Sequence, residues 1–106
     1  MVNKAPEFFI DNEKYVLPRP KVKTWRSILR FDEAIDDVLI VDMYDAYAQE
    51  LAEIFDDKKL TKEMILENVA PAEIVNTYSE CFKYVYSIIN ESMEKMPVKN
   101  VQKAKA

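Results

Sequence analysis

The sequence predicts an α+β fold that is mainly α: an N-terminal β-hairpin packed on a bundle of three to four helices. Three observations predict it. Residues 7–20, "EFFIDNEKYVLPRP", place two short strand-like runs on either side of the turn residues Asp11, Asn12 and Glu13 and end at two prolines. Later segments repeat apolar residues at helical spacing. No third strand follows, and two strands alone are marginal in water, so helices must cover the hairpin. Within the 106 residues, 1–95 read as a single α-rich domain and 96–106 as a flexible polar tail.

Residues 1–6 read as a loose start. In the hairpin, about residues 7–18, Phe8 and Ile10 share one face, as do Tyr15 and Leu17. Asp11, Asn12 and Glu13 supply the turn, Asn and Asp being the residues other than Gly that best tolerate positive φ. Pro18 and Pro20 force an extended exit, and "PRP" is too short for a proline-motif ligand. The first helix spans about Lys21 to Asp36, with Val22, Trp25, Ile28, Leu29 and Ile35 on its apolar side. Trp25 is the large residue expected beneath the hairpin. Lys23, Arg26 and Arg30 gather on another face of the same helix.

Asp36 and Asp37 interrupt the pattern and predict a break. A second helix is expected over about Val38 to Phe55, burying Ile40, Met43, Tyr44, Tyr47, Leu51, Ile54 and Phe55. Asp42, Asp45, Gln49, Glu53 and Asp56 form its solvated ridge. After the charged turn "DDKK", "LTKEMILENVAP" predicts a short helix over about Thr61 to Asn68 with Thr61 as N-cap. Pro71 opens the longest helix, about Pro71 to Lys95, whose core stripe is Ile74, Tyr78, Cys81, Phe82, Val85, Ile88 and Ile89. Tyr84 points away from that stripe on a helical wheel and is a candidate contact residue.

The composition excludes most chemistry. There is no glycine, hence no Gly-rich phosphate loop or dinucleotide fingerprint. There is no histidine, hence no Ser-His-Asp arrangement and none of the usual zinc sites. Cys81 sits at an apolar helical position with no histidine to activate it and reads as core. Asp56-Asp57 lack the spacing, turn glycine and closing Glu of a calcium loop. Neither an enzyme nor a bound cofactor or metal is expected. No apolar run of about 18 residues exists, so no membrane partner is expected, and with a single cysteine and no leader-like start the reading is cytosolic.

Net charge is −4, unevenly spread. Residues 1–31 carry +4, residues 32–57 carry −10 with no base, and residues 58–106 carry +2. Two readings stay open. The basic and acidic faces meet within one fold or face water, or they are complementary surfaces between subunits or toward a partner. The partner-binding candidates are Lys23, Arg26 and Arg30 on the basic side, Asp42, Asp45 and Glu53 on the acidic side, and Tyr84.

Two stretches carry a resemblance. "FFIDNEKYVLPRPKVKTWRSILRFDE" is similar to the start of tail assembly chaperones of long-tailed, siphovirus-type phages and prophages of Gram-positive bacteria. There a short hairpin precedes a proline-lysine link and an aromatic-bearing helix. "IFDDKKLTKEMILENVAPAEIVNTYSECFKYV" resembles their later helices, and the likeness spans about residues 7–95. It implies a protein that binds and solubilises the tape measure protein during tail morphogenesis and helps recruit tail tube protein. It also implies action in the host bacterial cytoplasm and absence from the mature virion. Weak homo-oligomers are expected. Two alternatives are a small helical nucleic-acid-binding phage regulator, supported by Lys23, Arg26 and Arg30, and a structural connector or tail component of the virion. The ten-acid run opposes binding to phosphates, so nucleic acid is not the expected partner.

Overall fold

The computed structural model describes residues 4–94. Two strands, β1 (Glu7–Ile10) and β2 (Glu13–Val16), precede four α-helices: α1 (Val22–Ala34), α2 (Met43–Phe55), α3 (Lys62–Asn68) and α4 (Pro71–Glu94). The expected mainly helical α+β architecture is present. The reading of residues 96–106 as a tail falls outside the described residues.

β1 and β2 pair antiparallel with Ile10 opposite Glu13, so Glu13, expected in the turn, belongs to β2, and Asp11 and Asn12 alone form a two-residue connection. Both have positive φ, 51° and 65°, as the tight hairpin turn matched to strand twist requires. Asp and Asn do here what glycine usually does. The Leu17 N–H donates to the Pro6 carbonyl at 2.9 Å, carrying the pairing one step further. Strand alternation then hides Phe8, Ile10, Tyr15 and Leu17 and exposes Phe9, Lys14 and Val16.

The hairpin leans on the end of α2. The Phe8 ring stacks on Phe55 with centroids 5.0 Å apart, and Tyr15 meets Phe8 edge-on at 6.3 Å. Asp56 closes α2 in the left-handed region (φ 53°), turning the chain beside the hairpin, where Lys59 comes within 3.7 Å of Glu13. This corrects the expectation that Trp25 lies beneath the hairpin. Residues 17–21 have no regular structure between β2 and α1 and include both prolines. Trp25 packs instead beside Phe82 and Tyr86 of α4, at 6.1 and 5.8 Å.

A 3₁₀ turn at Ile35–Asp37 marks the expected break, but α2 begins at Met43 rather than Val38. Residues 40–42 form a second 3₁₀ turn, so their side chains leave the stripe that a continuous helix would have buried. Ile40 and Tyr44, expected in the core, are exposed. α2 buries Ala48, Leu51, Ile54 and Phe55. Thr61 caps α3 as expected, accepting a hydrogen bond from the Met64 N–H at 3.2 Å. Pro71 opens α4.

α4 buries Ile74, Tyr78, Cys81 and Val85, with Phe82 and Ile89 partly covered. Phe31 of α1, Tyr47 of α2 and Tyr78 of α4 form a ring trio with centroids 5.0–5.4 Å apart. Phe31 meets Tyr78 while Trp25 meets Tyr86, so α1 and α4 run antiparallel. The Tyr78 hydroxyl is buried without a hydrogen-bond partner, and burial pushes its pKa above the ordinary tyrosine range.

Candidate functional site

α1 is the helix that the fold covers least. Ile28 is its one fully buried side chain, whereas Val22 and Leu29, expected in the core, are exposed. At about 100° per residue, Val22, Trp25 and Leu29 lie on one face of α1. That face continues onto α4, where Phe82 stacks parallel to Tyr86 with centroids 6.3 Å apart. Tyr86 is half-exposed and Trp25 is partly buried, so two helices together present an aromatic strip to solvent. Arg26 and Arg30, both exposed, flank the strip on α1.

A second feature is the groove between α1 and α2. Lys23, Arg26, Ser27, Arg30, Glu50 and Glu53 line it. Glu50 is 6% exposed, and among the described residues its carboxylate accepts one hydrogen bond, from the Ser27 hydroxyl at 2.8 Å. Burial lifts its pKa to about 7; the Ser27 hydrogen bond opposes the rise and the Glu53 charge adds to it. At the hairpin end of the groove Lys23 stands 4.0 Å from Asp56. The charge asymmetry is therefore met partly within one chain. Both partners of that pair are exposed, and such contacts contribute little to stability.

The third feature is the link between α1 and α2. Leu39, Ile40 and Val41 are 69%, 84% and 82% exposed, and Tyr44 extends the patch onto α2. Exposed Asp36, Asp37, Asp42 and Asp45 bracket it. An apolar patch with a polar rim is the usual surface form of a protein contact.

The residues singled out from sequence are thus divided. Lys23, Arg26, Arg30 and Glu53 converge on the α1–α2 groove. Asp42 and Asp45 sit at the opposite end of α2 from Glu53. Tyr84 does not project from the molecule: its ring is partly buried against the core. It lies at the near edge of the Cys81–Val85 stripe, whereas Tyr86 lies further round the helix and is the exposed tyrosine. Sequence reasoning missed Tyr86, Glu50 and the Leu39–Val41 patch. A signal for the last existed: four consecutive aliphatics, Val38 to Val41, cannot all share one helix face.

Reactive equipment is sparse. Among the described residues no three His, Cys, Asp or Glu side chains converge as a metal site. Cys81 is buried, and burial pushes its thiol up to about 12, which suppresses the nucleophilic thiolate. No helix among the described residues is long and apolar enough to cross a membrane. The model of a family described as phage tail chaperone protein matches residues 5–105. Nothing among curated proteins or solved structures matches the chain.

Proposed function

Given that the chain belongs to the phage tail chaperone family, a tail-assembly protein whose partners are proteins, we propose that its client is the tape measure protein. The client lays an amphipathic helix along the α1–α4 strip. The observation that carries this reading is the mismatch on α1, where an apolar face patterned for burial is left open beside an aromatic pair. Helix-in-groove binding needs such a strip, with anchors at i, i+3, i+4 and i+7 of the client. Val22, Trp25, Leu29, Phe82 and Tyr86 receive the apolar stripe of the client, and Arg26 and Arg30 receive acids on its rim. Binding of this kind keeps a long apolar helix from aggregating until tail tube subunits assemble around it, and it calls for no catalytic group. The chaperone itself then stays in the host cytoplasm and out of the finished particle.

The basic face of α1 also bears on the rival reading as a nucleic-acid regulator. Lys23, Arg26 and Arg30 share their groove with Glu50 and Glu53, and Lys23 is paired with Asp56, so neighbouring acids offset much of the positive charge that would attract phosphates. The test is co-expression of the full chain with the tape measure protein encoded by the same phage. The tape measure protein is expected to be soluble with the wild-type chain. It is expected to aggregate with Val22→Asp/Tyr86→Ala, two exposed substitutions that leave the core intact. Solubility indifferent to the chain's presence overturns the reading.

A further inference from the structure

We infer that the exposed link between α1 and α2 is the docking site for residues 95–106 of a second copy of this chain, so that copies join head to tail. The link is the most exposed apolar stretch of the described residues, with Leu39, Ile40 and Val41 each more than two-thirds uncovered. The charged residues next to it in the chain are all acidic: Asp36 and Asp37 precede it, Asp42 and Asp45 follow it, and none has an ion-pair partner within 4.0 Å among the described residues. The occupant must therefore be an apolar segment carrying positive charge.

One segment of this chain has that chemistry. Residues 95–106, "KMPVKNVQKAKA", contain four lysines and no acid, with Met96, Val98 and Val101 between them. They follow Glu94, the end of α4. Because α1 and α4 run antiparallel, that end lies at the opposite pole from the link. Tyr78, which touches Phe31 near the far end of α1, precedes Glu94 by roughly 24 Å of helix. The link lies beyond Phe31 again. Twelve residues span at most about 40 Å fully extended, so folding back would use nearly the whole segment in transit. A neighbouring copy imposes no such limit. A patch at one pole and its occupant at the other make a heterologous contact, which closes into rings or continues as open chains. The contact uses neither Trp25 nor Tyr86, so the client strip stays open in every copy, and the inference stands whether or not that strip binds the tape measure protein.

The test is complementation between two full-length variants, followed by sedimentation velocity. One carries Lys95→Glu, Lys99→Glu, Lys103→Glu and Lys105→Glu; the other carries Leu39→Ser, Ile40→Ser and Val41→Ser. The wild-type chain is expected to gain mass with concentration at 0.1 M salt and to associate at least tenfold more weakly at 1 M, where the screening length falls to about 3 Å. Each variant alone is expected to be monomeric. Mixed, they should form 1:1 pairs that grow no further, because one supplies an intact link and the other an intact segment. Asp36→Lys/Asp37→Lys serves as a second link variant if the triple serine chain misfolds. A wild-type chain that stays monomeric overturns the inference. So does a lysine-reversed variant that self-associates like wild type, or a mixture that stays monomeric.

Discussion

The two poles of the molecule treat similar sequence in opposite ways. "FFI" at the hairpin and "LIV" at the link are both short apolar runs next to acids. The hairpin alternates, so Phe8 and Ile10 are 2% exposed while Phe9 faces water, and the end of α2 covers the inner face. The link sits at a helix break, belongs to no face, and is left out almost entirely. Apolar surface that the fold uses is organised by a strand or helix period. Apolar surface outside any period is free for another molecule, and the half-covered strip on α1 lies between these extremes.

Substitutions that break this comparison should differ most at the hairpin pole. Phe8→Ala removes a fully buried ring that stacks on Phe55 and should cost about 3 to 5 kcal/mol in urea unfolding. Trp25→Ala should cost less than Phe8→Ala, because the indole is only partly buried. A larger cost for Trp25 would restore it as the support of the hairpin.

Glu50→Gln sharpens the comparison along the α1–α2 groove. The native carboxyl titrates near 7, above its ordinary 4.5, so the folded state holds the proton more tightly than the unfolded chain. Stability from this group is full below about 4.5 and is lost as pH rises through about 7. The glutamine should therefore stabilise by about 1 to 2 kcal/mol at pH 8 and change little at pH 4. Urea midpoints across pH read the difference, and an equal effect at both pH values would contradict the buried, protonated state.

At the other pole, Ile40→Ser should change stability by less than about 0.5 kcal/mol, since the residue is 84% exposed. A thermal shift of several degrees would mean that the link belongs to the core after all.

Much of this was legible in the sequence, for reasons that are local. The Asp-Asn turn, the Thr61 cap, the Pro71 start and the α4 stripe depend on a few neighbouring residues each. The failures concern what lies opposite. Periodicity shows which face of α1 is apolar but not whether another element reaches Val22 and Leu29. Trp25 and Phe55 were both large enough to lie under the hairpin, and the choice depended on how α2 ends at Asp56. Ile40, Met43, Tyr44 and Tyr47 continue the apolar spacing of α2 back into the link, so periodicity alone extends that helix to Val38. The break at Asp36–Asp37 reaches further than two residues, to Asp42. Of the candidate contact residues, the charged ones are recognisable by type, whereas Tyr84 and Tyr86, about 200° apart around α4, flank its core stripe on opposite sides, and the neighbouring elements decide which flank is covered.

Trp25, the one tryptophan of the chain, lies in the strip assigned to the client and makes the direct test spectroscopic. A tryptophan-free helical segment of the tape measure protein is titrated into the purified full-length chain while Trp25 emission is followed. The account predicts a saturable blue shift and protection from iodide quenching, both lost in Tyr86→Ala and both retained in Ile40→Ser. Emission that stays unchanged while the segment co-sediments with the chain would place the client elsewhere and contradict the account.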